Sequence, residues 1–207
     1  MSDLFSSADE VVPGMIFLPG FTDSRRLKAE LDAVLQRAPL RHMQTSRGFQ
    51  MSVKTSNCGS LGWISDRKGY RYSDTDPVTG QAWPAIPAGF LRLAISAAEA
   101  AGYRGFLPDV CLINFYEPGT QMGAHQDRDE ASFEHPIVSV SLGIEARFFV
   151  IGPERRGKSI AVDLADGDVI VFGGDSRKFY HGVRKVKQAT HPVFGAARWN
   201  LTFRRAA

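Results

Sequence analysis

The second half of the chain narrows the fold more than any other feature. Beyond residue 109, seven short segments follow one another with turn-forming residues between them: "VCLINFY", "IVSVSLG", "ARFFVIG", "SIAVDL", "DVIVFGG", "FYHGVRKV" and "ARWNLTFR". Each is rich in β-branched and aromatic side chains, which pack well on a pleated, half-buried surface. Seven such strands in about a hundred residues predict a β-sandwich or jelly roll.

The first half supplies helices. Thr22-Asp23-Ser24 offers caps before "RRLKAELDAVLQ", where Leu27, Leu31, Val34 and Leu35 share one helical face and Pro39 closes the run. A second helix is predicted from Pro87 to Ala101, with Phe90, Leu91, Ala94, Ile95 and Ala98 facing inward and Gly102 as its stop. Both precede the strands, so they are expected to pack on one outer face of the β structure. Between them lies an aromatic, glycine-punctuated stretch that reads as short strands and turns. No repeat or low-complexity linker divides the 207 residues, and one domain is the expectation. A hydrophobic share of 43% and a charged share of 23% suit a soluble globular protein.

Two cysteines form neither a disulfide framework nor a zinc spacing. The acidic start "MSDLFSSADEVV" is not expected to act as a signal peptide, and no apolar run approaches a membrane span. Cytoplasmic, non-membrane placement is the simplest reading. The net charge is only +3, but basic residues clump at Arg25 to Lys28, Arg155 to Lys158, Arg184 to Lys187 and Arg204-Arg205. Such clumps allow a phosphate-binding face, but charge runs are more often plain solvated surface.

Chemistry enters with "HQDRDE", His125 to Glu130. A His-x-Asp pair is weak evidence alone, but His181 in "FYHGV" falls on a neighbouring predicted strand. Two histidines and a carboxylate on adjacent strands can take one face of an octahedral ion, leaving three positions open, as in non-haem Fe(II) oxygenases. The same donors also accept Mn, Ni or Zn. His42, His135 and His191 read as turn or helix-end residues.

A second cluster strengthens this reading. In "RWNLTFRR", Arg198, Asn200, Thr202 and Arg204 alternate and point to one side of the last strand. Two inward arginines are costly unless something anionic meets them, and a dicarboxylate would satisfy both. Asn114 and Tyr116 in "INFYEPG" are co-facial in the same way. The competing reading is an exposed edge strand whose charges deter aggregation.

Together, "NFYEPG", "HQDRDE", "PIVSVSLG", "GDVIVFGG", "RKFYHGV" and "RWNLTFR" resemble the AlkB family of 2-oxoglutarate- and Fe(II)-dependent dealkylating dioxygenases. The similarity runs upstream through "MSVKTSNCGSLGW", "GYRYS" and "AWPAIP" to about Thr45; the Arg-x-Asn-x-x-x-Arg ending is its most discriminating part. The resemblance implies an α+β, mainly β fold: a double-stranded β-helix (jelly roll) at about 106–205, with N-terminal helices on one face and a nucleotide-recognition lid at about 40–85. It implies that His125, Asp127 and His181 hold Fe(II), and that Asn114, Tyr116, Arg198, Asn200 and Arg204 surround 2-oxoglutarate. Trp63, Tyr70, Tyr72 and Arg155 would meet the substrate, with Trp63 stacking on the alkylated base. Thr55, Phe172 and the turn around Pro153 depart from the family pattern.

The implied reaction uses O2 and 2-oxoglutarate, yields succinate and CO2, and oxidises an N-methyl group so that it leaves as formaldehyde. That is direct-reversal repair of bases such as 1-methyladenine and 3-methylcytosine in single- or double-stranded DNA, with RNA as a further substrate, by a monomer. The alternatives are the same chemistry on tRNA or protein, and a metal-containing jelly-roll binding module without turnover. Asp129, of the same parity as Asp127 in an extended chain, is expected to accept a hydrogen bond from the base's exocyclic amine. Glu130 is expected to face solvent.

Overall fold

The computed structural model describes residues 8–207; most of the N-terminal stretch read above as lacking a signal sequence lies outside them. A major sheet of eight strands faces a minor sheet of four across the interior. In chain order the major sheet takes β1 (Asp9–Val12), β2 (Met15–Leu18), β3 (Arg41–Gln44), β4 (Gln50–Gly59) and β7 (Val110–Tyr116). It also takes β9 (Ile137–Gly143), β12 (Val169–Phe172) and β14 (Arg198–Arg204). Their spatial order is β1-β2-β12-β9-β14-β7-β4-β3. The minor sheet comprises β8 (Met122–His125), β10 (Ala146–Gly152), β11 (Ile160–Leu164) and β13 (Tyr180–Val183), in the order β11-β10-β13-β8. A separate hairpin joins β5 (Gly62–Asp66) to β6 (Gly69–Ser73).

Alternation along the major-sheet strands divides two cores. Cys111 and Ile113, Val138 and Val140, Val169 and Val171, and Leu201 and Phe203 turn to one face. There they meet the helices α1 (Lys28–Arg37) and α2 (Ala88–Ala100), through Leu31 and Val34 and through Phe90, Ala94, Ala97 and Ala98. The alanines recur at helical spacing and let α2 lie close to the sheet. A 3-10 turn, Ser24–Leu27, leads into α1, with Asp23 capping it by accepting from the Arg25 amide. The opposite face carries Tyr116, Ile137, Ile170 and Phe172, which pack against Phe148, Val150 and Val183 of the minor sheet. The jelly-roll architecture and the placement of the helices on one face are therefore as expected.

Outside every stretch whose pattern predicts strands lie β1, β2, β3 and β8, whereas β4, β5 and β6 fall in the aromatic stretch predicted as short strands and turns. β8 is "MGAH", poor in strand formers, and it is extended because β13 pairs with it. Gly182 makes that pairing possible, since a Cβ there would come within 2.5 Å of the Met122 carbonyl oxygen. Cys58 and Cys111 lie opposite each other across β4 and β7 as buried free thiols.

Candidate active site

The open interior between the sheets is a cavity of about 440 Å³ reached from the β5–β6 side. The register explains what lines it. β14 pairs with β7 so that Arg198 stands opposite Tyr116 and Asn200 opposite Asn114, and all four side chains turn to the minor sheet. From the minor sheet, β13 and β8 bring His181 directly opposite His125. Asp127 follows β8 in the connecting loop and completes a group whose donor atoms all lie within 4.8 Å of one another.

The donor set fits a metal ion. His125 Nδ1 lies 2.9 Å from the Gly123 carbonyl and His181 Nδ1 2.9 Å from the Phe179 carbonyl, so each Nδ1–H donates to main chain. That tautomer leaves both Nε2 lone pairs free, and both Nε2 atoms sit 3.7 Å from an Asp127 carboxylate oxygen. Burial, followed by the charge on His125, pulls the His181 imidazole down to about 4, so it stays neutral in ordinary buffers. Burial alone would raise the Asp127 carboxyl. Arg204 is the first of the charges that oppose burial, Arg177 adds to it, and the carboxyl is held well below the usual carboxylate range. Two imidazoles turning Nε2 inward and one carboxylate thus form a donor set for a divalent cation. Phe172 presses on His181 at 4.9 Å between ring centroids and Phe148 at 5.7 Å, fixing the ring. His42, His135 and His191 belong to no such cluster among the described residues.

The two arginines of β14 differ, which corrects the expectation that both await an external anion. Arg204 finds its anions within the protein: Nη2 is 2.8 Å from Asp127 Oδ2 and Nε is 3.4 Å from Glu130 Oε1. Arg198 has no carboxylate. It donates through Nη2 to Ser141 Oγ at 3.1 Å and lies 4.9 Å over the Tyr116 ring, while its buried Nε and Nη1 have no partner. A buried guanidinium with idle donors on a cavity wall fits the carboxylate of a small acid. Asn200 is already committed: its amide donates to Ser139 Oγ and Val140 O, and its oxygen accepts from Asn114 and Thr202. It braces the wall and keeps Asn114 in place.

At the mouth, Trp63 and Tyr70 stack with centroids 5.6 Å apart and planes 12° from parallel. Trp63 Nε1 donates to Asp129 Oδ2 at 2.9 Å, and Arg155 lies on the exposed rim. Tyr72 does not line the cavity; its hydroxyl donates to Glu130 Oε1 at 2.7 Å.

Glu130 overturns its expected place at the surface: it is 7% exposed, and its carboxylate is ion-paired with Arg177 at 2.8 Å. The chain leaves strand geometry after His125, so alternation no longer governs which way residues 126–130 point. The loop delivers Glu130 to the interior. Arg177, 2% exposed in the 3-10 turn Gly174–Lys178, was missed because a basic residue beside Lys178 reads as surface.

Comparison with known proteins agrees with this geometry. The model of the 2OG-Fe(II) oxygenase superfamily matches residues 14–204. The Alpha-ketoglutarate-dependent dioxygenase AlkB of Escherichia coli strain K12 is 44% identical over 212 residues, covering 100% of this chain and 98% of that protein. The chain belongs to the AlkB family of 2-oxoglutarate- and Fe(II)-dependent dioxygenases. A plant AlkB relative, the DNA N(6)-methyladenine demethylase ALKBH1C of Arabidopsis thaliana, is 34% identical over 70% of this chain and 38% of its own length. The solved structure of OsALKBH1 superimposes with a TM-score of 0.83 at 29% identity, covering 96% of this chain and 100% of that one. The family's cofactor and co-substrate, Fe(II) and 2-oxoglutarate, match the donor set and the idle arginine described above. No helix among the described residues is long and apolar enough to cross a membrane.

Proposed function

We propose that this protein oxidatively removes N-alkyl groups from nucleobases such as 1-methyladenine and 3-methylcytosine in DNA, with RNA as a second nucleic acid. The observation that carries this is the single cavity holding His125, Asp127 and His181 behind the stacked pair Trp63 and Tyr70. His125, Asp127 and His181 would hold Fe(II). Arg198 would take a carboxylate of 2-oxoglutarate, with Asn114, Tyr116 and Asn200 around it and Arg204 closing the metal end. When bound, iron, 2-oxoglutarate and O2 supply an oxidant for the N-methyl carbon, which leaves as formaldehyde while succinate and CO2 are formed.

The protein's own part is positioning. Arg198 orients the acid and Arg204 keeps Asp127 ionised. The β5–β6 hairpin acts as a nucleotide-recognition lid and shields the site from water. A base inside a duplex cannot reach the metal, so it must be single-stranded or flipped, and it stacks on Trp63. Asp129 spends Oδ2 on the Trp63 indole. Its second oxygen accepts from the exocyclic amine of adenine or cytosine and would repel the carbonyl edge of guanine or thymine. Arg155 meets substrate at the rim. In this proposal the protein is a cytoplasmic monomer of one domain, with its lid at about 40–85.

Mass spectrometry of alkylated DNA and RNA oligonucleotides, incubated with Fe(II) and 2-oxoglutarate, tests this. Demethylation with matching succinate is expected, lost in Asp127→Ala, and with reduced preference for 1-methyladenine over 1-methylguanine in Asp129→Ala. Succinate formation that no oligonucleotide stimulates would point to a protein substrate instead.

A further inference from the structure

Glu130 has no task in the function described above, and its burial makes its presence costly. A carboxylate withdrawn from water costs several kcal/mol unless cations meet it closely. Two do. Arg177 Nη2 lies 2.8 Å from Oε2, and Arg204 Nε lies 3.4 Å from Oε1. Both cations also grip Asp127. Arg177 Nη1 donates to the Asp127 main-chain carbonyl at 2.6 Å, and Arg204 Nη2 pairs with its side chain at 2.8 Å. Two arginines and two carboxylates thus form a closed, neutral ring, with Glu130 opposite Asp127. The third arm leaves the ring: Tyr72 of β6 donates to Glu130 Oε1 at 2.7 Å, and its hydroxyl accepts from Arg204 Nη1 at 3.4 Å.

Each arm has a mechanical consequence. Without the Glu130 charge, Arg204 would be left with Asp127 as its one carboxylate partner, free to draw that carboxylate away from the histidines. Arg177 would lose the partner that aims it at the Asp127 main chain. Without the Tyr72 hydroxyl, the ring would survive but the hairpin would lose its polar tie to it. We propose that Glu130 is a positioning residue whose one buried carboxylate sets both the metal ligand Asp127 and the docked β5–β6 hairpin, so that loading the metal site and closing the lid favour each other. This rests on His125, Asp127 and His181 being the metal ligands. Such coupling is reciprocal, so metal binding must slow opening of the hairpin by the factor by which hairpin docking tightens metal binding.

The test uses Co(II), whose visible absorption reports ligand geometry, with hydrogen–deuterium exchange of residues 62–73 measured with and without the ion. In the wild-type protein Co(II) is expected to slow exchange there by about 5- to 100-fold. In Tyr72→Phe, which removes one hydroxyl and leaves the ring intact, Co(II) should bind with an unchanged spectrum but no longer slow that exchange. In Glu130→Gln the affinity should fall by about 10- to 100-fold with an altered spectrum. The proposal fails if Tyr72→Phe keeps the metal-dependent protection, or if a folded Glu130→Gln protein keeps wild-type affinity. Failure of the wild-type protein to bind Co(II) would overturn the metal site itself, and this inference with it.

Discussion

Arg198 and Arg204 share a strand, a face and a chemistry, and their surroundings give them opposite energetics. Arg204 is counter-charged by Asp127 and Glu130, whereas Arg198 has a hydroxyl, a ring face and two idle donors. Breaking a buried ion pair from one side costs about 3–5 kcal/mol because the stranded charge stays in the interior. Removing a buried charge that has no ionic partner strands nothing. Burial already disfavours the Arg198 cation, drawing its proton affinity below the usual guanidinium range. Arg198→Met is therefore expected to leave the metal-free protein as stable as wild type or more so, while Arg204→Met destabilises it by about 3–5 kcal/mol. Their effects on the co-substrate reverse the emphasis. Arg198→Met should raise the 2-oxoglutarate KM by about 10- to 100-fold, the worth of one or two charged hydrogen bonds. Denaturant melts of both variants with succinate titrations separate the two roles; a destabilised Arg198→Met would mean that the guanidinium is a structural part of the wall.

At the scale of elements, the β5–β6 hairpin is held to the body by several side chains: Tyr72 reaches Glu130, Trp63 reaches Asp129, Ser65 reaches the Gln44 carbonyl, and Asn57 binds the Trp63 main chain. Asn57 of β4 accepts from the Trp63 amide and donates to the Trp63 carbonyl, both at 3.0 Å, and so imitates the partner strand that Trp63 lacks on that side. Asn57→Ala removes both bonds and is expected to release about 1–3 kcal/mol locally. Exchange of the residue 62–73 amides should then rise about 10- to 100-fold, with β9 and β14 unchanged. Turnover of methylated oligonucleotides should suffer through KM before the oligonucleotide-independent conversion of 2-oxoglutarate does. If exchange of the hairpin stays at the wild-type rate, the other side chains alone hold it. Asn57 also shows where sequence reading stopped. The seven strands beyond residue 109 were legible because alternation and β-branching mark strands whatever their partners, and the cavity residues of β7 and β14 followed from parity alone. β8 was not legible, since Gly and Ala become strand only where β13 imposes it. Neither was Glu130, because parity ends with the strand at His125, nor Asn57 and Arg177, whose tasks depend on atoms distant in sequence. Local pattern carries the elements; contacts made by loops and turns are written only in the fold.

On the scale of the whole molecule the basic clumps separate by what they touch. Arg25 and Arg26 pair with Asp23, and Lys28 pairs with Asp32, so the clump at the start of α1 is largely spent on its own carboxylates. Arg204 is buried in the active site. The other two clumps converge: Arg155, Arg156 and Lys158 occupy the exposed β10–β11 loop, and Arg184, just after β13, reaches that loop by donating to Ser159 Oγ at 3.4 Å. Arg155 lies on the cavity rim, so this group is placed to follow the backbone of a strand whose base has entered the site. With 25 basic against 22 acidic side chains the molecule has little net field, and phosphate attraction must come from such local groups. Each phosphate neutralised on a single strand contributes about 0.7 to the slope of log affinity against log salt. Charge removal at Arg155, Arg156 and Lys158 together should lower that slope by up to about 2 and weaken binding at low salt more than at high salt. Removal of Arg25 and Arg26 should leave the slope unchanged. Fluorescence anisotropy of a labelled methylated oligonucleotide over a salt series measures both, and equal slopes in the two variants would mean that the strand takes another path across the surface.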